Sequence, residues 1–408
     1  MNAIELLHAR GFIQQTTDLD ELSAHFESGS RTFYVGFDPT GPSLHVGHMV
    51  PVMAMAWLQR LGHRPIAVLG GGTALIGDPS GKDQTREMLT AEDIAYNRDR
   101  FREQLSRYLH LDSQAGGDAS ETAAILIDNG DWLLPLNYVE FLRDIGRYFS
   151  INRMLSAEGT RQRLDRDQGM SFIEFNYHLL QSYDFLVLHD KYDCTIQFGG
   201  DDQWFNILGG VQLIRKSRAK KAHAATVPLI TTADGKKMGK TESGAVWLDA
   251  EQLSPYDYYQ YWINVQDADV ARFLKLYTFL ELDKIDELSR LQGAEIRSAK
   301  AVLAFEATRL AHGEAEALAA QNAAQKVFSG QGAQNMPTHS THFPIGVLDA
   351  FVDSGLLKSK GEARRLIKMG GARIGTSKVT DPEQMISEPC IIWAGKKRAV
   401  QLVDGLAT

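Results

Sequence analysis

The sequence predicts an α/β fold in which a doubly wound parallel sheet is followed by a helical region and a small C-terminal α/β unit. Stretches with the composition of buried strands alternate with helical periodicity over the first 250 residues, a pattern typical of a parallel sheet. Residues 255–328 show helical periodicity throughout. With 408 residues, 44% of them hydrophobic, the chain is long enough for two or three globular domains.

The first strand is predicted at residues 32–37 (TFYVGF), a β-branched and aromatic run. A turn rich in Pro, Gly, Asp and Ser follows, and then a helix that begins near Gly47 or His48 with Pro51 in its first turn. His45 and His48 therefore lie at a helix N-terminus, where backbone N–H groups attract phosphate. The strand–turn–helix order favours a nucleotide site over a surface turn with two solvated histidines.

The remaining elements of the sheet follow in alternation. Strands are predicted at 65–69, 123–127, 195–198 and 226–231, and helices at 96–109 and 204–216. This order predicts a Rossmann-like domain over 1–250 with a helical insertion at about 134–190. A helical domain over 251–330, a linker over 331–344 and a small α/β unit over 345–408 complete the predicted organisation.

Cysteine usage and hydropathy bear on the cellular setting. Cys194 and Cys390 are the two cysteines of the sequence, and their separation has no metal-ligand spacing. This predicts a cytoplasmic protein with no disulfide framework and no structural zinc. The sequence shows no apolar run near 18 residues and no signal-peptide pattern at its N-terminus, which argues against a membrane partner.

Charge is distributed unevenly along the chain. The net charge is −8, but residues 345–408 carry ten Lys and Arg against seven Asp and Glu, a net +3. The preceding residues therefore carry −11. A basic C-terminal tip on an acidic body indicates a local contact with a polyanion.

A lysine-rich loop is the second stretch that carries chemistry. Residues 236–241 (KKMGKT) follow the last predicted strand of the sheet. Alone, such a loop is usually a solvated turn. Together with the HVGH turn it predicts two cationic clamps on one triphosphate, suited to a transition state that gains charge at the α-phosphate and the leaving pyrophosphate.

Six motifs in this order resemble those of the bacterial tyrosyl-tRNA synthetases, which are class I aminoacyl-tRNA synthetases, and the resemblance covers nearly the whole chain. The motifs are YVGFDPT, HVGH, GDPSGK, FNYHLLQSYDF, GGDDQW and KMGKT. The resemblance implies a tyrosine–tRNA ligase. Such an enzyme activates L-tyrosine with ATP to tyrosyl-adenylate, releases pyrophosphate, and transfers the tyrosyl group to the 3′ end of tRNA(Tyr).

The resemblance also implies roles for individual residues. The residues expected to bind tyrosine are Tyr34, Asp78, Tyr177, Gln181, Asp184 and Gln203. The residues expected to be catalytic are Thr40, His45, His48, Lys82, Arg86, Lys237, Lys240 and Thr241. The residues expected to bind ATP are Gly36, Asp38, Thr40, His45, Gly47, His48, Asp202 and Lys240. Mg²⁺ is expected to accompany ATP as substrate, with no permanently bound cofactor and no dedicated metal site.

Within this set, Tyr34 and Asp184 are expected to bind the phenol hydroxyl of the substrate. Tyr177, Gln181 and Asp184 have the spacing i, i+4, i+7, so one helix face can present all three. Bound phenylalanine would leave the acid and the phenol unpaired, which would reject it. The alternative is an ordinary helix with Tyr177 in the core and Asp184 on the surface.

Two further features resemble the family outside the nucleotide site. Residues 356–379 resemble a small RNA-binding fold named after a small-subunit ribosomal protein, although a basic but inert cap would have the same composition. The residues expected to contact RNA phosphates there are Lys358, Lys360, Arg364, Arg365, Lys368 and Arg373. Residues 171–175 (SFIEF) resemble part of a homodimer interface, but an apolar run of this kind can equally be core.

Three positions depart from the family pattern, and three rival functions remain open. Val35 stands where Cys is often found, Asp201 where Ser is common, and Gly239 replaces the middle Ser of the lysine motif. A tryptophanyl-tRNA synthetase is disfavoured by Tyr34 with Asp184 and by the RNA-binding tail. A nucleotidyltransferase acting on a small acid would not need two RNA-facing regions. A non-catalytic RNA-binding paralogue would be expected to have lost His45, His48 or Lys240.

Overall fold

The structure is a computed structural model that describes most of the chain. It describes all residues except 80–88, 112–119, 158–159, 162–163, 166–168, 234, 236–237, 239, 242–243, 329–336, 376, 396–397 and 406–408. The chain divides into two compact units, Met1–Ala317 and Leu318–Thr408. The four-part division into domains stays a prediction.

A six-stranded sheet forms the centre of the first unit. Its strands are β1 (Gln15–Thr16), β2 (Thr32–Phe37), β3 (Arg64–Leu69), β4 (Ile125–Asp128), β5 (Cys194–Gly200) and β6 (His223–Val227). Their order is β1-β6-β5-β2-β3-β4. Strands β2 to β6 are parallel, as predicted. The fold class is confirmed, with one correction: β1 at the edge pairs antiparallel with β6.

Helices cover the sheet and continue beyond it. In the first unit they are α1 (Ala3–Arg10), α2 (Leu19–Glu27), α3 (Met49–Arg60), α4 (Ala91–Leu105), α5 (Gly130–Leu133), α6 (Tyr138–Asp144), α7 (Ile151–Ser156), α8 (Phe172–Tyr192), α9 (Trp204–Arg218), α10 (Pro255–Ile263), α11 (Val270–Tyr277), α12 (Leu282–Ser289) and α13 (Ile296–His312). Helix α14 (Glu314–Phe328) crosses from the first unit into the second. Two short strands, β7 (Lys240–Thr241) and β8 (Gly244–Ala245), form a separate antiparallel pair.

Local caps and packing explain where the boundaries differ from the predicted ones. Helix α4 begins at Ala91 because Thr90 and Asp93 form a capping box there, so the predicted range 96–109 is wrong at both ends. Strand β6 ends at Val227 instead of continuing to residue 231. Its small residues are all buried and pair with β5, and small side chains give a weak strand signal.

Helices α8 and α9 pack against each other and against the sheet. A Cβ at Gly210 would lie 2.8 Å from the Cβ of Phe185, so the glycine allows the two helices to approach closely. Phe185 and Leu188 of α8 join Tyr34 and Ile66 in one buried cluster. The predicted insertion therefore ends within a helix whose C-terminal half belongs to the core of the sheet.

The helical region after the sheet is joined to it by a buried cation. The Arg10 guanidinium donates to the carbonyls of Lys275 and Thr278, at 3.2 and 3.4 Å, and lies 3.8 Å from the centre of the Trp57 ring. Burial lowers the pKa of Arg10 to about 10. Helix α3, which follows the HVGH turn, is thereby held against the end of α11.

The second unit is a small α/β fold around its own core. Its elements are β9 (Thr338–Thr341), β10 (Ile345–Gly346), α15 (Val347–Asp353), α16 (Lys360–Lys368), β11 (Ala372–Ile374), β12 (Ser377–Lys378), β13 (Met385–Ile386), β14 (Cys390–Ala394) and β15 (Arg398–Asp404). Its main sheet has the order β12-β11-β14-β15-β9. Strand β9 falls within the predicted linker and pairs parallel with β15, so part of that polar stretch is ordered by a distant strand.

Candidate active site

The candidate site lies at the carboxyl ends of the parallel strands, beside the point where the strand order reverses. From this point β2, β3 and β4 run to one side and β5 and β6 to the other. Ligands of open α/β sheets bind in the crevice at such a point. Asp38, Gly70, Asn129 and Asp201 directly follow the ends of β2, β3, β4 and β5. Most of the residues discussed below lie close to these positions.

The HVGH turn forms a short 3₁₀ turn, Val46–His48, that leads into α3. The rings of His45 and His48 stack with centroids 3.9 Å apart. Nδ1 of His45 accepts from the Gly47 backbone N–H at 3.1 Å, and Nδ1 of His48 accepts from the His45 N–H at 3.3 Å. In each neutral ring the proton is therefore on Nε2, which becomes a donor. A Cβ at Gly47 would lie 2.8 Å from Cε1 of His45, so glycine is required between them.

The structure brings the lysine motif next to this turn. Residues 246–248, which follow the motif, pair with residues 44–46: the Val46 N–H donates to the Val246 carbonyl at 3.0 Å, and the Leu248 N–H donates to the Leu44 carbonyl at 2.9 Å. Met238 is buried, and the Tyr277 hydroxyl lies 3.6 Å from its Sδ. Lys82, Arg86 and Lys237 lie outside the described residues. Of Lys240 and Thr241 the structure describes the backbone, in β7.

Tyr34 and Asp184, the two residues expected at the phenol hydroxyl of the substrate, lie close together in the interior. Both are almost fully buried. Asp184 accepts from Trp132 Nε1 at 2.7 Å and from Asn129 Nδ2 at 3.0 Å. The Tyr34 hydroxyl has no hydrogen-bond partner among the described residues. Since a buried hydroxyl without a partner is costly, Tyr34 is suited to bind a polar group of a ligand.

Burial dominates the electrostatics of these two residues, which would form one end of a substrate pocket. It raises the pKa of Asp184 to about 8, although the hydrogen bonds from Asn129 and Trp132 oppose the rise. Burial, with the nearby Asp184 carboxyl, also raises the pKa of Tyr34 well above its ordinary value. At neutral pH the pocket therefore presents a neutral phenol and a carboxyl that is mostly protonated in the absence of ligand.

A chain of hydrogen bonds joins the pocket residues of three strand ends. The Tyr177 hydroxyl donates to Asp38 at 3.0 Å, and the Thr73 hydroxyl donates to the other oxygen of Asp38 at 2.7 Å. Asn129 Nδ2 lies within bonding distance of both Thr73 Oγ1, at 2.9 Å, and Asp184. Asp38, expected to bind ATP, thus orients Tyr177. Burial and the nearby carboxyls of Asp38, Asp78 and Asp184 raise the pKa of Tyr177.

The resemblance implies that Asp78 and Gln181 bind the ammonium group of tyrosine and that Gln203 lies near its reacting carboxylate. Gln203 Nε2 donates to Asp78 at 2.8 Å. Gln181 Oε1 is buried and has no hydrogen-bond partner among the described residues, so it too is available to a ligand donor. Of the group predicted to bind tyrosine, the structure thus joins Gln203 to Asp78 and places Tyr34 close to Asp184.

Asp201 and Asp202, the two acidic residues after β5, lie in different surroundings. Asp201 accepts from Gln15 Nε2 and from the Thr226 hydroxyl, each at 2.7 Å, so its carboxylate faces the edge strands. Asp202 is exposed and approaches Gly200, where a Cβ would lie 2.7 Å from its Oδ1. Asp201, which stands where Ser is common in the family, therefore has its carboxylate hydrogen-bonded by Gln15 and Thr226.

Gly36 and Thr40, both expected to bind ATP, lie on and just after β2. Gly36 is exposed, and a Cβ there would have no neighbour within 4 Å. The Thr40 backbone N–H donates to the Asp38 carbonyl at 2.8 Å, which fixes the polar turn.

Sequence reasoning missed Thr73, Asn129 and Trp132, whose contacts hold Asp38 and Asp184. Asn129 could have been predicted, because it directly follows β4 and the carboxyl ends of parallel strands converge at the site. Nothing in the sequence pairs Thr73 or Trp132 with a carboxylate, because both contacts span long stretches of chain.

The second unit has a surface rich in exposed cations. Lys358, Lys360, Arg364, Arg365 and Lys368 are exposed. The Arg373 guanidinium lies 5.4 Å from the centre of the Trp393 ring. A groove beside α16 has a volume of about 270 Å³ and is lined by both apolar and basic side chains, including Leu366 and Arg365. The arrangement suits phosphate contacts.

The described residues contain neither a metal-binding cluster nor a membrane-spanning helix. No group of three His, Cys, Asp or Glu among them has the arrangement of a metal site. None of their helices is long and apolar enough to span a membrane.

Comparisons with known proteins identify the family. The family model described as "tRNA synthetases class I (W and Y)" matches residues 27–329. The chain is 49% identical to the tyrosine–tRNA ligase of Acetivibrio thermocellus over 392 residues, which are 95% of this chain and 94% of that protein. It is also 49% identical to the ligase of the same name from Clostridium botulinum strain 657, over 99% of each chain. The chain belongs to the class I tyrosyl-tRNA synthetase family.

Solved structures agree with the tyrosyl-tRNA synthetase family. A C-terminally truncated mitochondrial tyrosyl-tRNA synthetase from Aspergillus nidulans matches with a TM-score of 0.72 and 32% identity, covering 80% of this chain and 94% of that one. The tyrosyl-tRNA synthetase from Archaeoglobus fulgidus, solved with L-tyrosine, shares the fold at a TM-score of 0.57 and 17% identity, covering 78% of this chain and all of that one. The resemblance deduced from the six motifs is confirmed.

Proposed function

We propose that the protein is a tyrosine–tRNA ligase that activates L-tyrosine with ATP and transfers the tyrosyl group to tRNA(Tyr). In the first step a carboxylate oxygen of tyrosine attacks the α-phosphorus of ATP. The bond to the bridging oxygen breaks, and pyrophosphate leaves with its electron pair. In the second step a terminal ribose hydroxyl of the tRNA attacks the activated carbonyl, and AMP leaves.

The observation that carries the proposal is the buried Tyr34 hydroxyl beside Asp184, for which the described residues supply no hydrogen-bond partner. A substrate phenol both accepts and donates, so it satisfies the two groups at once. An indole N–H donates but cannot accept, and a phenyl ring does neither. Tryptophan therefore leaves one group unmet and phenylalanine leaves both unmet, each at a cost in binding.

For the phosphates we propose charge stabilisation without an enzyme nucleophile. The Nε2–H groups deduced for His45 and His48 lie at the start of α3, where the helix dipole favours negative charge. The pairing of residues 246–248 with 44–46 supports the idea that the lysine motif acts on the same phosphates. Lys82, Arg86, Lys237, Lys240 and Thr241 stay in this proposal on the motifs alone. Mg²⁺ would enter bound to ATP.

For tRNA we propose that the basic face of α16 contacts backbone phosphates, and that the helical region over 251–330 faces the anticodon side. The exposed side chains of Arg364, Arg365 and Lys368 support the first part. The second part rests on the family resemblance.

We also propose a homodimer. Large apolar side chains are exposed on α6 and α7 and at the start of α8, among them Val139 (73%), Ile151 (61%) and Phe172 (68%). Such a cluster is typical of a covered interface. Sedimentation should find a dimer that Phe172→Glu dissociates and that Tyr96→Glu, at an exposed site on α4, leaves intact. A monomeric wild type would contradict this.

A cytoplasmic location is proposed from the two cysteines, which are both free. Cell fractionation would contradict it if the protein were found outside the cytoplasm.

The function is tested by amino-acid-dependent exchange of pyrophosphate into ATP, with tyrosine, tryptophan and phenylalanine compared under one condition with Mg²⁺. We expect exchange with tyrosine alone. Exchange with tryptophan would retain the fold and contradict the pocket. No exchange with any of the three would favour the RNA-binding paralogue.

A further inference from the structure

Three hydrogen bonds form a relay from His178, inside the α8–α9 interface, to Asp78 in the site. His178 Nδ1 lies 3.2 Å from Asn206 Oδ1. Asn206 Nδ2 donates to Gln203 Oε1 at 3.2 Å, and Gln203 Nε2 donates to Asp78 at 2.8 Å. His178 and Asn206 are buried. His178 lies in the FNYHLLQSYDF motif and Asn206 lies outside all six motifs, and neither was assigned a role in the chemistry.

The carboxylate of Asp78 fixes the direction of every bond in the relay. An ionised carboxylate only accepts, so Gln203 must turn its NH₂ group towards Asp78. Gln203 Oε1 then faces Asn206, which must donate through Nδ2. The Asn206 oxygen is left facing His178, and this ring must therefore carry its proton on Nδ1. The polarity follows from the chemistry of the four groups and does not depend on how the amides were assigned.

The His178 ring is held tightly in the position that this relay requires. It stacks on Phe205 with centroids 4.2 Å apart and meets Phe149 edge-on at 5.5 Å. A Cβ at Gly209 would lie 2.5 Å from Cε1 of His178, so the glycine makes room for the ring. Burial lowers the pKa of His178 to about 4, which keeps the ring neutral at physiological pH.

We propose that His178 is a positioning residue for the amino-acid substrate, acting through Asn206 and Gln203 on Asp78. Its Nδ1–H holds the Asn206 oxygen and so supports the amide orientation that the Asp78 carboxylate demands, in which Gln203 donates to Asp78 and leaves that carboxylate aimed for the substrate ammonium group. The proposal rests on the proposed function and on the assignment of Asp78 and Gln203 to tyrosine, which the family resemblance implies.

Loss of this donor has a predictable consequence. Without the N–H of His178, the Asn206 oxygen has lost a buried partner, and Asp78 alone then holds the two amides in their orientation. Any rotation turns Gln203 Oε1 towards Asp78, where two acceptors repel each other, so the loosened amides hold the Asp78 carboxylate less firmly. The ammonium site is then misplaced, while the HVGH turn on α3 has no part in the relay. The KM for tyrosine should rise, and the KM for ATP should not.

The test compares two substitutions with opposite properties. His178→Phe keeps a ring against Phe205 and removes the donor, whereas His178→Asn loses the ring and retains an N–H donor near the Nδ1 position. In tyrosine-dependent pyrophosphate exchange we expect about a tenfold increase in the KM for tyrosine with His178→Phe. Both kcat and the KM for ATP should stay near wild type. His178→Asn should restore most of the tyrosine affinity despite the poorer packing.

A matched control measures the cost of replacing any buried histidine. His63 is equally buried and lies at the opposite end of the sheet, directly before β3. His63→Phe should leave the KM for tyrosine unchanged. An unchanged KM in His178→Phe, or equal losses in His178→Phe and His178→Asn, would overturn the relay.

A spectroscopic measurement tests the relay without any assay of activity. ¹⁵N NMR of histidine-labelled wild type, with the His178 signals assigned by their absence from His178→Phe or, if that variant does not fold, from His178→Asn, should show a protonated Nδ1 and an unprotonated Nε2. The opposite tautomer would overturn the relay. This measurement does not depend on the proposed function. A wild type that exchanges no pyrophosphate with tyrosine would contradict the function, whereas the His178 tautomer would still show whether the relay exists.

Discussion

At the scale of single residues, the candidate site is defined by carboxyl groups that already accept hydrogen bonds from other side chains of the protein. Asp184 accepts from Asn129 and Trp132, and Asp38 accepts from Thr73 and Tyr177. Each carboxyl is therefore fixed before a ligand arrives. Fixed groups bind and orient a substrate without losing their own freedom at that moment. The Tyr34 hydroxyl is the donor that the protein leaves unmet among these described side chains.

The raised pKa of Asp184 predicts how stability changes with pH. With a pKa of about 8 in the folded state against roughly 3.9 in the unfolded chain, the folded protein retains a proton that the unfolded chain has lost between these values. The contribution of Asp184 to the free energy of unfolding is therefore absent below about pH 4. Between about pH 4 and pH 8 it lowers the free energy of unfolding by up to about 1.4 kcal/mol per pH unit, and above pH 8 it is constant.

Asp184→Asn removes this titration. Its amide N–H₂ group then faces one of the two donors, Asn129 Nδ2 or Trp132 Nε1, and cannot accept from it. We expect the thermal midpoint of the variant relative to wild type to rise steadily from pH 5 to pH 8. Midpoints of both proteins across this range measure it. Parallel profiles would contradict the pKa assignment.

Sequence reasoning reached the site residues that lie in motifs and missed those that support them. The spacing of Tyr177, Gln181 and Asp184 suggested one helix face, and the structure carries all three on α8. Thr73, Asn129 and Trp132 were missed because their contacts with Asp38 and Asp184 join segments that are distant in sequence. A contact of this kind has no periodicity to reveal it.

At the scale of elements, the site depends on the close approach of α8 and α9. Gly209 faces His178 and Ser182, and Gly210 faces Phe185; at both positions a Cβ would come closer than 3.0 Å to a side chain. Two adjacent glycines on α9 thus allow both the core contact and the relay to form.

Gly210→Ala is expected to destabilise the protein by about 1–3 kcal/mol, because the added methyl group overlaps the Cβ and ring of Phe185 and the helices must separate. Thermal or urea unfolding measures the change. Gly146→Ala is the control, since a Cβ there would make ordinary contacts at 3.5 Å or more. Equal stability of Gly210→Ala and wild type would show that α9 can shift without cost.

Elements were predictable where turns or caps bound a strong pattern. The range 32–37 matches β2 because a β-branched and aromatic run ends at a Pro- and Gly-rich turn. Strand β1 was missed because it has two residues, Gln15 and Thr16, and exists through its pairing with β6. Likewise β9 is polar and is ordered by β15. Pairing with a distant strand decides such short elements.

At the scale of the whole molecule, the uneven distribution of charge directs tRNA and ATP to different parts of the chain. Residues before 345 carry −11 and the remainder +3. Long-range attraction of a polyanion is therefore directed to the second unit. The local cations proposed around the HVGH turn act on ATP within the acidic body.

Reversing two charges on the second unit should weaken tRNA use alone. In Arg365→Glu with Lys368→Glu, we expect about a tenfold increase in the KM for tRNA and a weaker dependence of binding on salt. Aminoacylation and pyrophosphate exchange measure the two activities, and exchange should be unchanged. Lys191→Glu with Lys220→Glu reverses two exposed charges of the first unit and should affect neither. Equal loss of charging in both double variants would contradict a specific contact.

The central claim, that Tyr34 and Asp184 together bind a phenol, is tested most directly at Tyr34. Pyrophosphate exchange gives kcat/KM for tyrosine and for phenylalanine in wild type and in Tyr34→Phe. Because the substitution removes a buried hydroxyl that has no hydrogen-bond partner in the described part of the chain, thermal stability should not fall. We predict a lower kcat/KM for tyrosine and a smaller tyrosine-to-phenylalanine ratio than in wild type. An unchanged ratio in a folded variant would contradict the claim.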